Sequence, residues 1–98
     1  MPISTSKHAV LGMTKTTAVE FAKQNIRVNA VCAGVIRTAM YQRWADAAPA
    51  VETRVAALHP LGRVGEADEV AAAVLWLCSD AASFVTGIAH AVDGGFLA

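Results

Sequence analysis

The segment STSKHAV, residues 4–10, holds the side chain best placed to do chemistry. Lys7 follows a Ser/Thr-rich approach and opens a helix-like stretch. Residues four apart share a helical face, and an ammonium on that face favours the ionised form of a nearby phenol. The residue one helical turn before Lys7 is at position 3. The residue there is Ile3, which has no ionisable proton and cannot serve as a general acid. A second candidate group is AGVIRT, residues 33–38, where Gly34 ends an apolar run and the Thr38 hydroxyl follows. Tyr41 is the sole tyrosine, and its place beyond that loop makes it a poor substitute for a phenol at position 3. His8, His59 and His90 stand near no other ligand type at zinc-like spacing, so they read as structural or exposed and no metal site is expected. Arg37 and Arg63 read as surface or helix-end ion pairs rather than anion sites.

Behind these groups the sequence predicts five elements. Residues 7–24 read as a helix, with Val10, Leu11, Thr14, Ala18, Phe21 and Ala22 on one stripe. Ser4 or Ser6 is a candidate cap, Gly12 a candidate close approach, and Asn25 a candidate stop. Residues 26–32, IRVNAVC, read as a strand apolar on both faces, which suits the middle of a parallel sheet. Residues 39–62 are looser: two short helices separated around Pro49, then the punctuation His59-Pro60-Leu61-Gly62. Connections this long are often lids or binding loops. Residues 66–79 form the clearest helix, with Glu66, Asp68 and Glu69 at its dipole-positive start and Val70, Val74, Leu75, Leu77 and Cys78 as a broad apolar face. Residues 88–92 read as a short strand closed by Asp93-Gly94-Gly95. Helix, strand, lid helices, helix, strand is a parallel βαβ crossover with one helix in front.

Composition bounds the reading. The 98 residues make at most one domain, and with 55% apolar and 16% charged residues the chain is not disordered. Eight basic residues balance eight acidic ones with no basic stripe, which argues against a nucleic-acid partner. No apolar run nears the roughly 18 residues of a membrane span. Cys32 and Cys78 lie in apolar segments without metal spacing and read as small buried hydrophobes of a reducing, cytoplasmic compartment. Two strands are marginal as a sheet. The surplus apolar content therefore predicts that this is part of a larger one.

Four segments resemble the C-terminal part of a short-chain dehydrogenase/reductase. STSKHAVLGMTKTTAVEFA is similar to the catalytic-lysine helix, and NIRVNAVCAGVIRTAM to the strand and cofactor loop. HPLGRVGEADEVAAAVLWLCSD is similar to the last long helix, and FVTGIAHAVDGGF to the closing strand. The resemblance spans nearly the whole chain, in matching order. It implies an α/β fold: the C-terminal part of a Rossmann-like doubly wound parallel sheet, with the first βαβ nucleotide half missing. It divides the chain into a catalytic-lysine helix (4–25), strand and cofactor loop (26–38), substrate lid (39–62), and last helix with closing strand (63–98).

The family transfers hydride between NAD or NADP and a carbonyl or alcohol. By resemblance, Lys7 matches the lysine that tunes the tyrosine and holds the nicotinamide ribose. Ala33, Gly34, Val35, Ile36 and Thr38 match the segment passing under the nicotinamide, with Ala33 where the family has proline. Met40, Trp44 and Val51 would line the lid or pack it to the core. Ile3 stands at the tyrosine place. It is open whether this is a substitution, the loss of one residue between Ile3 and Ser4, or a start at an internal methionine of a damaged frame. The glycine-rich phosphate loop and the catalytic serine have no counterpart in these 98 residues. The expectation is that the chain alone does not turn over and binds cofactor poorly. The alternative is an interaction module, associating with copies of itself through residues 66–79 and 88–92.

Overall fold

The computed structural model describes the backbone of residues 2–98 and the side chains of residues 6–98. The order is α1 (Pro2–Phe21), β1 (Ala30–Ala33), β2 (Ile36–Arg37), α2 (Ala39–Ala47), α3 (Pro49–Ala57), β3 (Gly65–Glu66), α4 (Ala67–Leu77) and β4 (Ala89–Val92), with single 3-10 turns at Ala22–Gln24 and Asp80–Ala82. β1 pairs with β4 and β2 with β3. Ala30 N–H donates to Ile88 C=O and Gly34 N–H to Val92 C=O. Both indices rise together, so β1 and β4 run parallel, as the crossover predicts. Two compact units result: the residues through Val31 with Leu75–His90, and Cys32–Val74 with Ala91–Ala98.

In the first unit α1 starts at Pro2, so Ser6 is interior to the helix rather than at its start; the side chain of Ser4 lies outside the described residues. The helix gives way to the 3-10 turn, and Asn25 ends it in the left-handed conformation (φ 61°), as its type allows. Thr14 and Ala18 are buried with Leu77 and Ala82. Among the described residues, nothing lies within 4 Å of a would-be Cβ at Gly12, so no close approach is seen there.

The strand expected over 26–32 is shorter and later. Over positions 26–29 side-chain bonds interrupt the ladder, although Val28 C=O still accepts from Gly87 N–H at 2.8 Å. Arg27 donates to Ser79 and Val85 carbonyls, Val28 N–H donates to Thr86 Oγ1, and Asn29 donates to Val85 C=O while accepting from Ile88 N–H. Regular pairing begins only at Ala30.

In the second unit the looser segment forms α2 and α3, separated at Pro49 as read from sequence. Tyr41, Ala45 and Val64 make its core, with Val35 and Val55 packed on it. The β2–β3 pair went unpredicted: two residues per strand carry no periodicity. Ile36 lies opposite Gly65 and Arg37 opposite Glu66, in parallel.

Two expectations about burial fail. Cys32 is half-buried and Cys78 exposed. The apolar face of α4 buries only Leu77 and leaves Leu75 71% exposed. Among the described residues, no helix is long and apolar enough to cross a membrane.

Candidate functional site

The loop leaving β1 is held from three sides within its unit. Its Gly34 N–H donates to Val92 C=O at 3.0 Å, and Val35 C=O accepts from Gly65 N–H at 2.9 Å. Val35 N–H donates to His59 Nε2 at 3.2 Å. A Cβ at Gly34 would stand 2.9 Å from His59 Nε2 and 3.0 Å from Asp93 Cα, so this glycine is required by space. Asp93 caps its own turn: its carboxylate accepts from Gly95 and Leu97 N–H. Gly94 and Gly95 take the positive φ that this turn demands (57° and 89°).

Successive residues of a parallel strand turn their backbone groups to alternate edges. Because Val35 C=O bonds Gly65, the N–H and C=O of Ile36 face the edge away from β3. A donor and an acceptor therefore sit side by side on one residue, the complement of a primary amide. Two residues on, Thr38 Oγ1 accepts from Tyr41 N–H at 3.2 Å and so caps α2, as its type suggested. That bond uses a lone pair of the hydroxyl and leaves its proton available to donate.

Arg37 clasps the segment that follows. Its guanidinium bonds Glu66 (3.0 Å), Gln42 (2.8 Å) and, more loosely, Glu52 (3.4 Å), and lies 5.8 Å from the Tyr41 ring centre. Arg63 holds Glu69 by both carboxylate oxygens, at 2.8 and 2.9 Å. Glu69 also accepts from Glu66 N–H, the return half of a capping box at the start of α4. Arg63 first, then the Glu66 amide, holds the Glu69 carboxyl down at about 2 from an ordinary 4.5. Both arginines are thus ion-pair members, as read from sequence.

Of the lid residues, Met40 is 72% exposed and Trp44 46% exposed, while Val51 is half-buried. Trp44 meets the Tyr41 ring edge-on. Tyr41 is a core residue whose buried hydroxyl has no hydrogen-bond partner among the described residues, which removes it as a proton donor to bound substrate.

Lys7 is exposed on α1, in the other unit. The side chain of Ile3 lies outside the described residues. Ala33 is exposed, and Gly34, Val35 and Ile36 line a cleft of about 50 Å³ with His59 and Asp93. Small-molecule pockets run to roughly 300 Å³ or more, so this cleft by itself is smaller than a usual ligand site. Among the described residues, no group of three His, Cys, Asp or Glu side chains is arranged to hold a metal.

Comparison with known proteins bears on the family and the fold. The family profile described as enoyl-(acyl carrier protein) reductase matches residues 2–97. The 2,5-dichloro-2,5-cyclohexadiene-1,4-diol dehydrogenase of Sphingobium indicum is 50% identical over 93 residues, covering 95% of this chain and 37% of that protein. The A-factor type gamma-butyrolactone 1'-reductase of Streptomyces virginiae is 46% identical over 95 residues, 97% of this chain and 37% of that one. Among solved structures, ElxO with NADP bound superposes with a TM-score of 0.90 at 38% identity, covering 95% of this chain and 38% of that one. A 4-hydroxyisoleucine dehydrogenase complexed with NADH gives 0.86 at 38% identity, covering 94% and 37%.

The chain belongs to the short-chain dehydrogenase/reductase family. It spans about 37% of the length of the curated relatives it matches. The short-chain dehydrogenase/reductase likeness explains why a two-strand sheet leaves so many apolar side chains open: the fold is a partial Rossmann-like sheet. Of the two readings the sequence offers for His59, structural or exposed, the structure bears out the first: it is 3% exposed and bonds both Val35 and Val55, and these partners are what sequence reasoning missed in this family member. The one signal was its place immediately before Pro60, where a turn fixes the side chain's direction.

Proposed function

We propose that this chain is the C-terminal, nicotinamide-side portion of an NAD(P)-dependent oxidoreductase acting on carbonyls and alcohols. The observation that carries the reading is the Ile36 backbone pair beside the Thr38 hydroxyl. One donor, one acceptor and a second donor suit the carboxamide of a nicotinamide. Ala33, Gly34 and Val35 would bring the backbone beneath the ring; by family resemblance alone, Lys7 is the candidate ribose ligand. A bound nicotinamide would supply or accept the hydride. The chain's own residues would fix its orientation, and Met40 and Trp44, exposed on α2, would close over substrate and exclude water. Relatives whose names give a cyclohexadiene diol and a gamma-butyrolactone make those classes the first substrates to try.

The 98-residue polypeptide assayed alone is expected to show no NADH- or NADPH-dependent turnover. Ile3 offers no proton, and no glycine-rich strand–turn–helix is present in its sequence to seat a diphosphate. The assay follows absorbance of the reduced cofactor with cyclic ketones and alcohols. Robust turnover that disappears in Lys7→Ala would overturn the reading.

A second reading, self-association without chemistry, is favoured by one observation. Leu75, Trp76, Phe84 and Ile88 of the first unit are 71%, 43%, 101% and 37% exposed. Apolar groups exposed in this way mark an interaction surface where they form one contiguous patch. Residues 66–79 and 88–92 would then join copies of the chain. Light scattering at micromolar concentration should give a mass above one chain, reduced by Trp76→Glu. A monomeric peak for the unaltered chain would count against it.

A further inference from the structure

His59 is the buried titratable side chain that the proposed function leaves unused, and its two ring nitrogens are not interchangeable. Val35 N–H donates to Nε2 at 3.2 Å, so Nε2 must carry a lone pair. The proton of the neutral ring then lies on Nδ1, 3.0 Å from Val55 C=O, to which it donates. One imidazole thus joins the loop leaving β1 to the last turn of α3. The ring is walled by Phe96, whose centre lies 5.6 Å away, and by the space-limited Gly34.

We infer that His59 is a positioning residue for the cofactor loop: as the Nδ1–H tautomer it fixes the Val35 amide and thereby sets the edge to which the Ile36 backbone points. The inference rests on the reading that this edge faces the nicotinamide. It makes loop order depend on the charge of one ring. A second proton on Nε2 would set N–H against N–H and remove the acceptor. The neighbouring charged groups are committed elsewhere. The Asp93 carboxylate serves Gly95 and Leu97 N–H, Arg63 is paired with Glu69, and Glu52 of α3 reaches Arg37.

The test uses nitrogen-detected imidazole spectra and amide hydrogen exchange on the full 98-residue chain. The expected result is the Nδ1–H tautomer for His59 and a protected Val35 amide whose protection is lost as the ring takes up its second proton. His59→Asn keeps a donor able to reach Val55 C=O but is too short for Val35. It should speed Val35 exchange by about tenfold or more, the worth of one hydrogen bond, while α3 amides stay protected. His59→Gln, long enough to present an acceptor, should restore part of the protection. An Nε2–H tautomer, or unchanged Val35 protection in His59→Asn with α3 intact, would overturn the inference. If α3 protection collapses in His59→Asn, the tautomer and the pH-linked loss of Val35 protection in the unaltered chain decide instead. NADH added to the same samples separates the two claims. If the His59 tether behaves as expected while NADH perturbs neither Val35 nor Ile36, the cofactor reading fails and the tether stands.

Discussion

Gly34 shows how far a single residue can be argued. It does not sit at positive φ; it is there because a methyl group would press on Asp93 Cα, a backbone atom that cannot swing aside. Gly34→Ala should therefore lower stability by about 1–3 kcal/mol, the usual cost of overpacking, read as a lower urea midpoint. An unchanged midpoint would mean that the loop and the Asp93 turn yield more easily than their contacts suggest. The glycine was legible in the sequence as the end of a strand, since it breaks an apolar run. Its true reason was not, because that depends on His59 and Asp93, 25 and 59 positions away. Burial of the cysteines was misjudged for a related cause. An apolar neighbourhood in sequence says that a residue lies in a strand or helix, not which face its unit covers, and Cys78 lands on the open one.

At the scale of elements, helix identities were legible and strand limits were not. α2, α3 and α4 follow from caps, Pro49 and the acidic start of α4, all local features. β1 starts late because the Val28 and Ile88 amides donate to the Thr86 and Asn29 side chains rather than across the ladder, and β2–β3 exists only through a pairing across 29 positions. The start of α4 gives a pH prediction. Glu69 is held ionised by Arg63, with its carboxyl lowered to about 2 against an ordinary 4.5. A depressed folded value means that its contribution is complete above about 4.5 and fades as pH falls toward about 2. Carbon-detected titration of Glu69 should show a midpoint near 2, and Arg63→Gln should move it back toward 4.5. A midpoint already near 4.5 in the unaltered chain would show that the Arg63 fork does not persist in solution. Arg63 and Glu69 are solvent-facing, so the stability at stake is small.

For the whole molecule, the order of elements and the motif spacing carried the fold, because a parallel crossover and a loop ending in Gly34 and Thr38 are properties of the entire string. The site was legible to the same degree: the loop residues could be named, while the device that sets their backbone, His59, could not. Full NAD(P) affinity needs contacts beyond one carboxamide and one ribose. A dissociation constant below about 10 μM would require about 7 kcal/mol from that partial set.

The most direct measurement is a titration of NADH into the 98-residue chain, followed at the backbone amides of residues 33–38. The account predicts saturable shifts centred on Ile36 and Thr38, with a dissociation constant weaker than about 10 μM, and smaller shifts in Thr38→Ala. Saturable binding that leaves these amides unmoved, or no binding up to millimolar NADH, would contradict it.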